Sequence, residues 1–334
     1  MQHTPLGRST TTVTQLSFGA ATLGNLFTPV TDEAASAALA AAWKGGIRSF
    51  DTAPHYGLGL SECRLGAFLR DRPRDEYTVA GKVGRCLDPV PYDGGDDLTN
   101  GYAVPATHRR RWDFTADGVR RSLDASLERL GLDRLDIVHL HDPDDHFTEA
   151  IDQAYPALER LRAEGVVGAI GVGMNQSEML TRFVRDTDID AVLLAGRYTL
   201  LDQSAAAELL PEAARRGVSV IVGGVFNSGL LADPKPGATF DYAAAPAQLV
   251  DRAQRMQSVC GRHSVPLRAA AVRFALAPLP VASVLIGARS AEEVTDAVRL
   301  LDLDIPQELW RELRTEGLLP DHLPLPHGNQ GPCV

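Results

Sequence analysis

Arg48-Ser49-Phe50-Asp51-Thr52-Ala53-Pro54-His55-Tyr56 runs from a short apolar segment into a polar turn, and the same design recurs twice further along. Tyr77 to Gly81 leads to Lys82, and Leu135 to Leu140 leads to His141, each run being followed by a helix-like stretch. In a closed barrel of parallel strands, side chains at the C-terminal ends of neighbouring strands share one rim, so residues far apart in sequence can line one pocket. Asp51, Tyr56, Lys82 and His141 are therefore read as a cluster at a barrel mouth, just past their strands.

Outward from these runs the pattern continues in both directions. Strand candidates are Leu16 to Gly19, Arg48 to Phe50, Tyr77 to Gly81, Leu135 to Leu140, Ala169 to Val172, Ala191 to Leu194, Ser219 to Val222 and Ser283 to Ile286. Amphipathic runs lie between them, including Thr31 to Lys44, Ser61 to Arg72, Thr115 to Leu130, Thr148 to Glu164 and Ser177 to Arg185. Glycines mark helix ends at Gly45, Gly46, Gly131, Gly165 and Gly217. Strict alternation implies a parallel sheet. An open doubly wound sheet would place a glycine-rich phosphate turn after its first strand, but Gly19-Ala20-Ala21-Thr22-Leu23-Gly24 is not G-x-G-x-x-G. Eight units favour closure. The expectation is an α/β fold, a (β/α)₈ TIM barrel forming a single domain over residues 1–334, preceded by a β-hairpin in which Leu6 to Arg8 faces Thr12 to Thr14. Two connections exceed the usual βα loop: Arg85 to Asp113, a lid or contact candidate, and Gly223 to Pro246. The proline-rich tail from Gly317 to Val334 reads as irregular and placed over the barrel.

Lysine usage sharpens the cluster. Only Lys44, Lys82 and Lys235 are lysine among 33 basic residues. Lys82 thus occupies a position where arginine does not serve: an ammonium can be desolvated and share a proton network with a phenol, whereas a guanidinium stays charged and is shaped for forked pairing. A free tyrosine titrates near pH ~10, and a neighbouring ammonium favours its phenolate. In this arrangement Asp51 holds and balances Lys82, and His141 bonds the reacting oxygen or assists proton transfer. Taken one at a time, the four residues read as a helix cap, packing, an exposed charge and a loop hydrogen bond; their joint position on three successive strand ends argues for chemistry.

Composition bounds the partners. The formal net charge of −10 argues against nucleic acid or an anionic membrane surface, and Arg109 to Arg111, flanked by Asp96, Asp97 and Asp113, reads as a solvated loop. Cys63, Cys86, Cys260 and Cys333 show no paired spacing, and residues 1–12 lack the apolar core of a secretion signal, so a reduced, cytoplasmic setting is expected. No oligomeric state is implied.

The segment Asp51-Thr52-Ala53-Pro54-His55-Tyr56-Gly57, continuing to Ser61-Glu62, resembles the D-T-A-x-x-Y-G-x-G-x-S-E signature of the aldo-keto reductases, and Lys82 and His141 complete that family's tetrad. The resemblance implies a barrel that binds an extended nicotinamide cofactor and moves hydride to or from a carbonyl or hydroxyl carbon, with Tyr56 as general acid or base. It also implies cofactor contacts at Gly19, Ala20 and Ala21. Gly171-Val172-Gly173-Met174-Asn175 is similar to the family's G-V-S-N segment, which makes Asn175 the carboxamide partner. The stretch containing Gly223, Val225, Phe226, Asn227, Ser228 and Leu230 resembles its pyrophosphate belt, where backbone NH groups do most of the work. Gly287, Ala288, Arg289 and Glu293 open the last barrel helix, whose NH groups and dipole favour phosphate. There are departures: Ala195 stands for a usual glutamine, and Gly223 for a ring-stacking aromatic, for which Phe226 is a substitute. Glu293 occupies a position where NADP-preferring relatives often carry arginine; its carboxylate repels a 2′-phosphate and accepts from a ribose diol. NAD is therefore expected, with NADP possible through Arg289.

Within the family, these segments are similar to the branch of aldose 1-dehydrogenases acting on L-fucose-type sugars, which also contains pyridoxal 4-dehydrogenase. Both substrates are small molecules presenting a cyclic hemiacetal that loses hydride to become a lactone, with Tyr56 as base on its hydroxyl. His55 and Trp112 are read as substrate contacts, a turn hydrogen bond and loop packing being the alternatives. Two other classes remain open: a regulatory subunit that keeps the nucleotide site, and a metallohydrolase built on His139, His141 and His146, although strands five to seven offer no histidine. His139 shares a face with His141 and reads as a barrel-interior residue.

Overall fold

Two short strands, β1 (His3–Pro5) and β2 (Thr12–Thr14), form an antiparallel hairpin in the computed structural model, which describes residues 1–241 and 243–326. The first strand lies earlier than the Leu6 to Arg8 segment expected to pair. Leu6 is instead drawn inward with Val13, Ala80 and Ile137, and the NH of Gly7 donates to Ser219 Oγ at 2.7 Å. The hairpin thereby closes the barrel end where the strands begin.

The remaining strands are β3 (Leu16–Gly19), β4 (Ser49–Asp51), β5 (Thr78–Val83), β6 (Arg85–Pro89), β7 (Asp96–Asp97), β8 (Tyr102–Pro105), β9 (His108–Trp112), β10 (Leu135–His141), β11 (Val167–Met174), β12 (Ala191–Ala195), β13 (Ser219–Gly223), β14 (Thr239–Phe240), β15 (Ala243–Ala244) and β16 (Val281–Gly287). All eight expected barrel strands form and close in the order β3-β4-β5-β10-β11-β12-β13-β16. Most run further than hydrophobicity alone indicates. Asp51, Lys82 and His141 are the last or next-to-last residues of their strands, not residues beyond them, because parallel pairing continues through Asp51 with Ala80, Lys82 with His139 and His141 with Gly173. Backbone partners thus hold polar side chains in fixed directions on the inner rim.

Helices α1 (Asp32–Lys44), α2 (Leu60–Leu69) and α3 (Ala116–Leu130) follow the expected runs. Thr31 and Thr115 are N-caps outside α1 and α3, their hydroxyls accepting from the NH of Ala34 at 3.2 Å and of Gly118 at 3.0 Å. The run Thr148 to Glu164, expected as one helix, is α4 (Phe147–Glu149), a π-helical turn at Ala150–Ala154 and α5 (Tyr155–Ala163). Pro156 has no NH for the carbonyl four residues back, and the turn widens just before it. Next come α6 (Ser177–Asp186), α7 (Leu209–Arg216), α8 (Ala247–Arg262), α9 (Leu267–Ala275), α10 (Ala291–Leu301) and α11 (Gln307–Thr315). Gly131 and Gly217, both at φ 66°, end α3 and α7 in the left-handed conformation. The helices cover the outer barrel face through a continuous apolar layer that includes Phe18, Phe50, Leu194 and Trp310.

The excursion from Arg85 to Asp113 is more ordered than its composition implies. Strands β6 and β9 pair antiparallel, as do β7 and β8. The solvated-loop reading of the arginine run is corrected by the same pairing: Arg109 is exposed, but Arg110 is half-buried against Asp97 and Arg111 bonds Asp88 and Asp113. A strand sends successive side chains to opposite faces, so three adjacent arginines meet different surroundings. The second interruption holds the small β14-β15 pair. The described part of the tail is tied to the outer helices: the carbonyls of Leu318 and Leu323 accept from Arg252 and Arg314, and that of Pro326 from Gln307. Its residues 327–334, with Cys333, lie outside the described residues. Cys63, Cys86 and Cys260 are free thiols. Among the described residues no helix is long and apolar enough to cross a membrane.

Candidate active site

The cluster assembles around a buried ion pair. Lys82 Nζ donates to Asp51 Oδ1 at 2.5 Å and to the carbonyl of Thr52 at 3.2 Å, and Lys82 is only 2 % exposed. Burial pushes the Asp51 carboxyl up, with Lys82 pulling it back. Gly171 on β11 leaves space for the neighbouring backbone and for the histidine beside the lysine: a Cβ there would stand 2.2 Å from Ala191 O and 2.8 Å from His139 Cδ2, whereas one at Gly173 would lie in ordinary contact, 3.7 Å from Lys82 Cε. The Gly171-Val172-Gly173 pattern therefore serves the barrel interior as well as the rim.

Tyr56 sits above this pair, with Lys82 Nζ 4.7 Å from its ring centroid. Its turn is held by backbone contact and by the residues that follow. The NH of Tyr56 donates to Ala53 O at 3.1 Å and the NH of Ser61 to Tyr56 O at 3.3 Å, while Ser61 Oγ meets Thr52 Oγ1 and donates to Ala20 O, both at 2.8 Å. Glu62, wholly buried, accepts from Arg129 Nε at 2.6 Å and ties α2 to α3. Gly24 and Gly57 touch backbone to backbone, and a Cβ on Gly57 would come 2.2 Å from Gly24 O at a φ of +63°. Gly57→Ala is expected to cut turnover at least tenfold and to lower the melting temperature, because the turn that aims Tyr56 must shift; unchanged steady-state rates would show that the contact does not set the ring's position.

His141, at the end of β10, meets the Tyr56 ring edge to face, centroids 5.8 Å apart at 88°. Burial first, then the charges of Arg85 and Lys82, hold its imidazole well below the ordinary range, so it is neutral. The chain turns at Asp142, whose φ is 43°, and Asp142 pairs with Arg85. His55 stands 5.7 Å from the His141 ring and is likewise neutral, held down to about 2 by burial and then by Arg85, Arg110 and Lys82.

Tyr56, Lys82, His55, His141, Asn175 and Ala21 line one cavity of about 470 Å³. A second groove of about 630 Å³ is bordered by Phe226, Ser228, Gly287, Arg289 and Glu293, and Leu26 and Phe27 line both. The two spaces thus adjoin. Other expected cofactor positions offer no side chain to either. Ala20, Val225, Asn227, Leu230 and Ala288 are buried, Asn227 bonding Gly196 O at 3.4 Å and Ala288 O accepting from Thr22 Oγ1 at 2.7 Å. Gly19 ends β3 and Gly223 ends β13. At these positions the backbone is what can meet a ligand.

Trp112 packs within the rim excursion. It borders a neighbouring hollow with Arg85, Asp144 and His146, not the Tyr56 cavity, although Asp142 and Asn175 line both. Its ring stacks on Phe114 at 5.9 Å and lies 4.3 Å below the Arg85 guanidinium. His139 is buried in the barrel, pushed down to about 3 by burial and then by Lys82, and His146 packs on Trp112. Among the described residues no three His, Cys, Asp or Glu side chains group as a metal site. Sequence reasoning missed Leu26 and Phe27, and also Arg268 and Asp296, which pair across the second groove at 2.5 Å. Only a hydrophobic step after β3 hints at the first two, and nothing local marks the others.

The chain matches the model of the aldo/keto reductase family over residues 15–315. It is 49% identical over 310 residues to a D-threo-aldose 1-dehydrogenase of a Pseudomonas species, covering 91% of this chain and 94% of that protein. It is 40% identical to a pyridoxal 4-dehydrogenase of Microbacterium luteolum, covering 94% and 97%. The holo form of an aldo-keto reductase from Bacillus halodurans superposes with a TM-score of 0.75 at 25% identity, covering 97% of this chain and 98% of that one.

Proposed function

Because the chain belongs to the aldo/keto reductase family, we propose that it oxidises the anomeric hydroxyl of a cyclic aldose of the L-fucose or D-threo type to the lactone, with NAD as hydride acceptor. The observation that carries the reading is the buried Lys82–Asp51 pair beneath the ring of Tyr56, opening on a cavity large enough for a monosaccharide. The similarity to a D-threo-aldose 1-dehydrogenase selects the sugar over other carbonyl or hydroxyl substrates.

Tyr56 is the general base in this scheme. Its phenolate oxygen takes the proton of the substrate's anomeric OH and becomes the phenol, and the Lys82 ammonium stabilises that phenolate before the transfer. Asp51 keeps the ammonium in place and balances its charge. Neutral His141 orients the same substrate oxygen by a hydrogen bond.

The second groove fits a dinucleotide. Its wall includes Glu293 in the first turn of α10, a helix capped by Ser290, with Gly287 and Arg289 just before it, and the positive end of a helix dipole favours phosphate. Asn175 would hold the nicotinamide amide in the adjoining cavity, and Phe226, Ser228 and Gly287 would flank the rest. The bound cofactor supplies the carbon that accepts hydride. Glu293 argues for NAD. Its Oε2 accepts from the backbone NH of Arg289 at 2.7 Å, while the Arg289 guanidinium donates to Leu26 O at 3.2 Å, so a carboxylate stays at this rim and the Arg289 side chain is turned to Leu26. Glu293→Gln keeps an acceptor for that NH and removes the charge. It is expected to improve kcat/KM with NADP by about tenfold, roughly 1.4 kcal/mol, with little change for NAD; an unaltered NADP preference would move the discrimination to another residue.

The test is NADH formation on a panel of L-fucose, D-arabinose, L-galactose and pyridoxal, with NAD and NADP, and identification of the lactone. Sugars are expected to exceed pyridoxal by at least tenfold in kcat/KM. A pyridoxal preference would select the second reading, suggested by the 40% identical relative, and no turnover on any of the four would remove both.

A further inference from the structure

Arg110 reaches the edge of the cavity from the rim excursion without lining it. Its terminal nitrogens are clamped by Asp97, at 2.7 Å to Oδ1 and 2.6 Å to Oδ2, and Asn100 donates to the same Oδ1 at 2.8 Å. The remaining Nε donates to His55 Nδ1 at 2.5 Å, and one terminal nitrogen also donates to His55 O at 3.0 Å. The Arg110 side chain is 13 % exposed and that of Asp97 5 %. Tyr102 closes the other side, its ring edge to face with the imidazole at 5.2 Å and 86°. His55 is therefore held by a charged fork that is itself held, at the mouth of the space that contains Tyr56.

A guanidinium has only donors, so His55 Nδ1 must be the acceptor and the single ring proton must sit on Nε2. Protonation at Nδ1 would break the bond and place a second cation against Arg110. The neutrality of the ring, imposed by burial and by Arg85, Arg110 and Lys82, agrees with this geometry. A lone imidazole at a rim exchanges tautomers; this one does not.

We propose that Arg110 is a positioning residue for the substrate: clamped by Asp97, it fixes His55 as a permanent Nε2–H donor to a second substrate oxygen, distinct from the one that reacts at Tyr56. This rests on reading the cavity as the substrate pocket. A sugar satisfies the donor with a ring or hydroxyl oxygen. A substrate with hydrogen or methyl at that place leaves a buried NH unpaired and loses on the order of ten- to a hundredfold in kcat/KM.

The test has two arms on the full chain. In the first, ¹⁵N-histidine spectra are expected to show His55 as the Nε2–H tautomer from pH 5 to 9 and to lose that single form in Arg110→Met. A His55 protonated on Nδ1, or a signature unchanged by the substitution, overturns the proposal whatever the substrate proves to be. In the second, using whichever panel compound turns over, Arg110→Met and His55→Phe should each raise KM about ten- to a hundredfold, with kcat within threefold and NAD affinity unchanged. The double variant should be no worse than His55→Phe alone. Additive losses, or an unchanged KM in Arg110→Met, would show that Arg110 does not act through His55. If Arg110→Met does not fold, Asp97→Asn is read in both arms by the same criteria, a smaller rise in KM being expected. Failure of every panel compound defeats the proposed function, and the tautomer arm still decides the role of Arg110.

Discussion

Tyr56→Phe is expected to lower kcat by about 10²- to 10⁴-fold while leaving NAD affinity within a factor of about two. Proton transfer and cofactor binding fall to different parts of the site. Positioned proton transfer contributes about that range, roughly 3 to 5 kcal/mol of barrier. The phenyl ring keeps the packing that Tyr56 makes with Tyr102, at 6.3 Å, and with His141, so the cavity should hold its shape. Apart from the nicotinamide amide at Asn175, the cofactor contacts are assigned to the second groove, whose wall includes Phe226, Ser228 and Arg289 but not Tyr56. Stopped-flow NADH formation and quenching of intrinsic fluorescence by NAD measure the two quantities independently. A variant with close to parental kcat would reassign the base, with His141 the next candidate by position.

The four residues on which this rests were legible because of strand periodicity. Apolar runs ended at Asp51, Lys82 and His141, glycines marked the helix stops, and one lysine stood out in an arginine-rich chain. What stayed hidden depended on register between distant segments. Nothing in Arg109-Arg110-Arg111 distinguishes the middle residue until β9 pairs with β6 and turns it towards Asp97 and His55. The proline, glycine and aspartate content of residues 85–113 marks a long connection, a lid or contact candidate, because turn residues dominate it, while the short strands between them carry the ordering. Trp112, for which substrate contact and loop packing both stand open in the sequence, lies outside the Tyr56 cavity for a related reason: Arg85 and Phe114 pack against it. Arg268 and Asp296 lie on α9 and α10, and their pairing depends on how those helices meet, which no local pattern encodes. Residues such as Ala20, Val225 and Leu230 resembled ligand contacts by sequence but are buried; a motif that works through backbone NH groups constrains side chains for packing, so the sequence marks the segment and not the touching atoms.

Lys82→Met should cost both activity and stability, and the pair of costs can be taken apart. Loss of the ammonium removes the charge that favours a phenolate at Tyr56, and turnover is expected to fall at least a hundredfold. It also strands Asp51, which is buried and whose second oxygen has no hydrogen-bond partner among the described residues. Removing one member of a buried pair typically destabilises by about 3 to 5 kcal/mol. The pH dependence has a definite sign. Burial raises the Asp51 carboxyl above its unfolded value, and in this variant nothing opposes the shift. A carboxyl with a raised folded pKa contributes stability that is fully present below about pH 3.9, its unfolded value, and is lost as pH rises through the folded value. Relative to the parent, Lys82→Met should therefore be less stable at pH 8 than at pH 5, falling by at most about 1.4 kcal/mol per pH unit in between. Denaturant titrations at the two pH values measure this. Combining Lys82→Met with Asp51→Asn removes the titrating group, so the slope should vanish and most of the stability should return, yet turnover should stay low. Recovery of activity along with stability would mean that the ion pair only supports the barrel, and the chemistry assigned to Tyr56 would have to proceed without it.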